Sequence, residues 1–386
     1  MKIIEVRELS IRMSGNISNA VVDFSRHDVS LVALVSDIIR NGRPVTGIAF
    51  NSIGRFAQSG IIRDRLIPRV LNAPSESYTD MDGDLSPAAL RQVMMRDEKP
   101  GGHGDRASAI AAIELAAWDL RAKISDEPAA SVIARNFARV PSDKVSVYAA
   151  GGYYYPNEGA NRLRDELKSY QDLGFDKFKI KVGGVSIQED IARLETALKQ
   201  AGSGRNISVD ANGRFDLDGA LSLGEILKPY DLRWYEEAGD PLDYDLNRQV
   251  IDAYERPVAT GENLFSVPDV RNLLRHGGMR PGIDIFQMDA GLSYGLTEYA
   301  EMIALMEASG FDRNLAYPHG GHLLNLHIVA GLNLGGCEAY PAVFQPFGGY
   351  LPGLAIEQGM IRLPDTPGFG LEAKPELRPH IEKLMS

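Results

Sequence analysis

From about residue 145 onward, short apolar runs alternate with longer amphipathic ones. Eight short runs read as strands: VSVYAAGG, KFKIKVGG, ISVDANG, LRWYEEAG, PVATGEN, IDIFQMDAG, NLAYPHGG and CEAYP. Between several of them lie segments of helical spacing, such as ALSLGEILKPY and DVRNLLRHGG. Repeated strand–helix units predict a parallel sheet, and eight of them predict a (β/α)8-type barrel. The first 55 residues have a different texture. KIIEVREL and NAVVDF alternate, SLVALVSDII reads as a buried strand, and Asn41-Gly42 marks a turn before PVTGIAF. Next comes ASAIAAIELAAWDLRAKI, which places Ile110, Ile113, Ala117 and Leu120 on one helical face. Strands followed by helices predict an α+β domain, ending near Pro141.

Barrels of this kind carry their chemistry at the C-terminal ends of the strands. The last polar residues of successive runs are Lys181, Asp210, Glu236, Glu262, Asp289 and His319. Glu236 follows Asp210 by 26 residues, and Glu262 follows Glu236 by 26. Asp289 comes 27 later and His319 another 30. Each interval is one strand plus one helix, so these side chains are expected at similar heights around one rim. Three carboxylates at a buried rim repel one another unless a cation joins them. Oxygen-only ligands suit Mg²⁺, with Mn²⁺ able to replace it. The competing reading is three separate, solvated loop acids.

The run FDKFKIKVGG alternates Lys177, Lys179 and Lys181 with Phe178, Ile180 and Val182, so one strand face is cationic. Lys179 and Lys181 lie two apart on that face. A lysine desolvated beside a second ammonium loses proton affinity and can act as a general base. Alternatively, both are anion-binding counter-charges. Lys177, at the start of the run, is expected deep in the barrel in a structural ion pair. His319 sits in YPHGGH, and Asp289 on the neighbouring strand end is placed to orient it. A zinc pair of His319 and His322 is the rival, weakened by the intervening glycines and the lack of a third nitrogen ligand. The loop from Lys99 to Arg106 is glycine-rich and basic. It reads either as a solvated turn or as a mobile loop whose His103 and Arg106 meet an anion.

Net charge is −11, which argues against a nucleic-acid surface or an anionic membrane as main partner. A single cysteine, Cys337, excludes an intrachain disulfide framework. The N-terminus shows no apolar secretory segment, and no run approaches the length of a membrane span, so the expected compartment is the cytoplasm. There is no GxxxxGK[ST] phosphate loop, and PGFG near residue 367 is no dinucleotide fingerprint.

The order KxK, Asp, Glu, Glu, then Asp and His, resembles the enolase superfamily, and the His–Asp pair resembles its mandelate racemase subgroup. AAIELAAWDLRAKISDEPAASVI is similar to the signature of that family's capping domain. The resemblance implies a (β/α)7β TIM-like barrel over residues 141–360, an α+β capping domain over 1–140, and a C-terminal segment, 361–386, returning to the cap. Within the subgroup, EKPGGHGDR (98–106), YAAGGYYYP (148–156), SVDANGRF, WYEEAGDPLDY, ATGENLF and AYPHGGH resemble the tartrate dehydratase branch. That implies Mg²⁺ on Asp210, Glu236 and Glu262, with Lys181 as the base and His319, held by Asp289, as the acid. Lys179 would touch the carboxylate of a small-molecule substrate. Asn19, Lys99, Tyr153, Asn212 and Glu338 would line its pocket, and cap loops would close over the barrel mouth. A homo-oligomer is likewise implied. Racemisation or epimerisation of a 2-hydroxy acid would use the same base and acid. Ile53 stands where that branch carries a polar Asn, and an isoleucine cannot hydrogen-bond a substrate oxygen.

Overall fold

The structure is a computed structural model, and it describes residues 1–155 and 160–386. Pro156, the last residue of YAAGGYYYP, lies outside them.

The N-terminal sheet contains β1 (Ile3–Arg12), β2 (Asp28–Arg40) and β3 (Arg43–Phe50), antiparallel in that order. Asn41 (φ 51) and Gly42 (φ 74) make the β2–β3 turn, and both are left-handed as a tight hairpin requires. NAVVDF is not a strand. The Asn19 carboxamide oxygen accepts from the Val21 and Val22 N–H groups at 2.8 and 2.6 Å. That side-chain turn competes with an extended ladder, and the segment becomes a loop.

The helix Asp105–Ser125 is buried on nearly every side, not on a single stripe. It packs against β3 on one side, where Gly47 is needed because a Cβ there would sit 2.0 Å from the Ala116 carbonyl oxygen. On the other side it meets the barrel. Glu114, fully buried, accepts from Leu296 N (2.8 Å) and Thr297 N (3.0 Å), capping the barrel helix Leu296–Ala308. Asp119 accepts from Ile48 N (2.7 Å) and Phe369 N (2.6 Å). The C-terminal helix Arg378–Met385 lies against β1, where Arg7 donates to the Leu384 carbonyl at 3.2 Å.

The barrel starts with β4 (Lys144–Ala150). Next are β5 (Phe178–Lys181), β6 (Ile207–Asp210), β7 (Trp234–Glu236), β8 (Val258–Thr260) and β9 (Ile285–Phe286), each pairing in parallel with the one before. β10 (Cys337–Ala339) pairs in parallel with β4 and closes the ring. The seventh position is filled by extended chain with one bridge, Ala316 to Phe286. Tyr317 and His319 donate their N–H groups to the Phe286 and Gln287 carbonyls at 2.8 and 3.2 Å. Pro318 between them has no N–H to give, which keeps this run from a full ladder. Among the described residues, seven helices follow the first seven positions, and the one helix after β10, Arg378–Met385, packs on the cap and not on the barrel, so the barrel is (β/α)7β. A hairpin of β11 (Ile356–Glu357) and β12 (Met360–Arg362) adds to the N-terminal half of β4 in antiparallel fashion. No helix among the described residues is long and apolar enough to cross a membrane.

Candidate active site

Parallel pairing in register sets the height of the polar side chains. Lys181 pairs with Asp210, and Asp210 with Glu236, so three charged groups leave three adjacent strands at one level. Every residue of β5 is buried, on both faces, as a strand inside a parallel barrel requires. Lys177 falls just outside β5, partly exposed, and pairs with its neighbour Asp176 at 2.9 Å, not with a group deep in the barrel.

Asp210, Glu236 and Glu262 each place a carboxylate oxygen within 4.8 Å of the others, the only such cluster among the described residues. Lys179, 1% exposed, sits beneath them. Its ammonium lies 2.7 Å from Glu236, 2.8 Å from Glu338 and 3.6 Å from Asp210. Lys181 donates to Asp210. Trp234 Nε1 and Gln287 Nε2 each donate to Glu236 at 2.8 Å. Asn212, in the left-handed region at φ 51, donates its N–H to Asp210 at 2.9 Å and its carboxamide at 3.2 Å.

The electrostatics match that geometry. Burial and then the Asp210 charge push Glu236 up to about 8. Burial alone would raise Asp210 too, but Lys181 and Lys179 overcome it and hold it at about 2. Burial, the largest effect, and Lys179 lower Lys181, as the sequence suggests, yet Asp210, Tyr153 and Glu236 together outweigh them and its net proton affinity is raised, the reverse of what the lysine pair alone predicts. The two buried ammoniums therefore leave the acidic rim short of positive charge. The donor set is all carboxylate oxygen, which fits a hard divalent cation.

His319 approaches this rim from the seventh strand position. Its Nδ1 lies 3.1 Å from Asp289 Oδ2 and its Nε2 3.9 Å from Glu262 Oε2. Burial would lower its proton affinity, but Glu262, Asp289 and Glu338 raise it to about 9. Burial would raise Asp289, and the His319 hydrogen bond and charge hold it below the usual range. His322 points away from the cluster, toward Ser52 at 3.0 Å, and burial lowers it to about 4, so it is no partner of His319 in a zinc pair.

A cavity of about 230 Å³ opens above the rim. Lys181, Asn212, Glu262, His319, Tyr153 and Asn19 all line it. Lys181 and His319 enter the cavity from different strand positions, β5 and the seventh, which are not neighbours in the ring. Asp210, Glu236 and Asp289 are fully buried behind them, as is Glu338, which accepts from Gly320 N at 2.8 Å. Lys179 is likewise below the cavity wall, saturated by carboxylates. Lys99 is not brought here; it is exposed, and its carbonyl accepts from Arg106 at 3.1 Å. Arg106 is spent on Glu98, Gly101 and Tyr294, and His103 on Tyr294, so the basic loop is tied to itself and to the barrel.

Sequence reasoning did not find Arg55, Glu237, Asn263 and Tyr340, which also line the cavity. Arg55 follows Ile53 on the loop after β3 and donates to Asn263, which donates in turn to Glu237 at 2.9 Å. Ile53 is 1% exposed and forms part of the same wall. The second cap loop is docked as well: Ser18 and Tyr154 exchange backbone hydrogen bonds of 3.1 and 2.8 Å. The cap therefore supplies one side of the cavity and the barrel the other.

Arabinonate dehydratase of Saccharolobus solfataricus is 28% identical over 280 residues, covering 70% of this chain and 71% of that protein. L-talarate/galactarate dehydratase of Salmonella typhimurium is 26% identical over 353 residues, covering 90% and 82%. The fold is shared with L-talarate dehydratase from Polaromonas sp. JS666, solved with Mg and L-glucarate, at a TM-score of 0.75, 23% identity and coverage of 95% and 92%. The family model described as Enolase C-terminal domain-like matches residues 162–377, more than half of the chain. With a (β/α)7β barrel, an α+β cap and a carboxylate rim between them, the chain belongs to the enolase superfamily.

Proposed function

We propose that the protein is a Mg²⁺-dependent acid-sugar dehydratase of the mandelate racemase subgroup, converting D-tartrate to oxaloacetate and water. The observation that supports this reading is that Lys181 and His319, from two non-adjacent strand positions, line one cavity over three converging carboxylates. The relatives named above include acid-sugar dehydratases, and the sequence resemblance points to tartrate within that class.

Asp210, Glu236 and Glu262 would hold the Mg²⁺. Bound there, it would supply positive charge that the rim lacks and stabilise negative charge developing on a substrate carboxylate. With Asp210 turned to the cation, Lys181 would lose the carboxylate that does most to raise its proton affinity, and its neutral Nζ then takes the proton from the carbon next to the substrate carboxylate. His319 Nε2 gives its proton to the β-hydroxyl as the C–O bond breaks, releasing water. The enol left behind takes up a proton at Cβ and becomes the 2-keto acid. Asp289, accepting from Nδ1, keeps the His319 ring turned with Nε2 toward the cavity. Lys179 holds Glu236 and Glu338 in place from below. Asn19, Tyr153 and Asn212 contact the substrate from the cavity wall. Burial under the cap keeps water from the ionised groups and strengthens each interaction.

The test is a keto-acid assay on purified protein with Mg²⁺, across the tartrate isomers and a panel of larger acid sugars. Keto acid from D-tartrate supports the whole reading. Keto acid from another acid sugar only keeps the reaction and replaces the substrate. Exchange of the α-proton with solvent and no keto acid from any of them would assign a racemase or epimerase instead.

A further inference from the structure

Asp289 is approached from a second side, by the cap. Ser52, on the loop after β3, is fully buried and donates its hydroxyl proton to Asp289 Oδ2, the oxygen that also faces His319 Nδ1. Ser52 Oγ is in turn 3.0 Å from His322 Nε2. The direction of this chain follows from proton counting. His322 Nδ1 lies 3.4 Å from Asn325 N, a backbone donor, so Nδ1 is the accepting nitrogen and Nε2 carries the hydrogen. Nε2–H then donates to Ser52, whose single proton goes to Asp289. Asp289 accepts from Ser52 and His319 on Oδ2 and from Gly291 N on Oδ1 at 2.8 Å.

The backbone is hollowed to admit Ser52. A Cβ on Gly320 (φ +97) would sit 2.7 Å from Ser52 Oγ, 2.8 Å from His322 Nε2 and 2.9 Å from Asp289 Oδ2. A Cβ on Gly291 would sit 2.7 Å from the Ser52 Cβ. Ser52 N also donates to the Gly291 carbonyl at 3.3 Å. Two glycines of the barrel thus make room for one serine of the cap. The next residues of the same loop, Ile53, Gly54 and Arg55, form part of the cavity wall.

We propose that Ser52, backed by His322, is a positioning residue for His319. The cap completes the barrel's His–Asp pair by fixing the Asp289 carboxylate, and through it the ring orientation that turns Nε2 toward substrate. This rests on the reading of His319 as the acid. It adds that the loop that lines the cavity also sets that acid, so a docked cap and a competent His319 are one event.

The test compares Ser52→Ala, His322→Phe and His322→Gln with the parent in two substrate assays and one without substrate. Ser52→Ala and His322→Phe are expected to slow keto-acid release by about 10- to 100-fold, the range for residues that orient a functional histidine. KM and solvent exchange of the α-proton, the Lys181 step, should stay within about threefold. His322→Gln keeps an N–H donor and should recover most of the rate even if Ser52→Ala folds poorly. Equal loss of exchange and keto-acid release in folded variants would mean a merely structural role and overturn the proposal. In the substrate-free arm, the downfield Nδ1 proton of His319, assigned by its loss in His319→Asn, should move when Ser52 becomes Ala. An unmoved resonance overturns the proposal. That spectrum needs no turnover, so a protein inactive on every acid sugar refutes the dehydratase reading while the spectrum still decides this one.

Discussion

Lys179 offers the sharpest test of how the acidic rim is held together. Replacing it with Met keeps its length and removes its charge. The side chain is 1% exposed, and its ammonium contacts Glu236 at 2.7 Å and Glu338 at 2.8 Å. Removing one member of a buried ion pair costs about 3–5 kcal/mol, because the remaining charge stays in low dielectric without a partner. Protonation limits that cost. Glu236, already pushed to about 8, would take up its proton more firmly in the variant, so near pH 7 the lower end, about 3 kcal/mol, is expected. The pH dependence gives the sign. A carboxylate whose folded-state pKa is raised costs stability as pH climbs from its unfolded value to its folded one. In the parent that cost levels off near pH 8, whereas in Lys179→Met it continues upward, widening the gap by up to about 1.4 kcal/mol per pH unit. Added Mg²⁺ should narrow it, since a cation on the rim pairs with the same carboxylates. Chemical denaturation at pH 7 and 9, with and without Mg²⁺, measures all of this. A variant within about 1 kcal/mol of the parent, or a gap that shrinks with rising pH, would refute the reasoning.

Three other outcomes follow from the same structure. Burial lowers His327 to about 3, so the stability held by its neutral form is complete above an unfolded value near 6.5 and drains away as pH falls. Between pH 7 and 5 the loss is about 2 kcal/mol, and His327→Gln should show a denaturation profile flatter by that amount. Glu262 is the least enclosed of the three rim acids, its side chain 16% exposed and 3.9 Å from its ion-pair partner His319. Glu262→Gln should therefore leave the metal-free thermal midpoint nearly unchanged while abolishing its rise with Mg²⁺. Ile53→Asn puts a hydrogen-bonding group back into the cavity wall, and kcat/KM for tartrate relative to other acid sugars should rise by about tenfold or more.

The strand-and-helix rhythm made most of the barrel legible, because most repeats bury the strand on both faces and expose one side of the helix, the wholly buried Leu323–Leu332 being an exception. The spacing of Asp210 and Glu236 carried over into space because β6 and β7 pair in register, whereas the partner of Glu236 on β8 is Ala259, so Glu262 joins the cluster from three residues further on, past the end of its strand. The seventh run misled in part: Pro318 interrupts its ladder, yet the extended chain still delivers His319 to the rim. NAVVDF misled fully, since alternation says nothing of Asn19 closing a turn on its own backbone. Ser52 and Arg55 were illegible for a deeper reason. They act across the cap–barrel interface, on partners more than 200 residues away, and no local period encodes that contact. Lys179 and Lys181 look equivalent in sequence, but the register puts one under the carboxylates and the other in the cavity wall.

The central claim is that Lys181 and His319 perform separate steps from different strand positions. It is tested most directly by following α-proton exchange in deuterated solvent alongside keto-acid release, in Lys181→Ala and His319→Asn with Mg²⁺ present. The account predicts that Lys181→Ala loses both, while His319→Asn continues to exchange the proton and releases no keto acid. Exchange that persists in Lys181→Ala at the parent rate would contradict it.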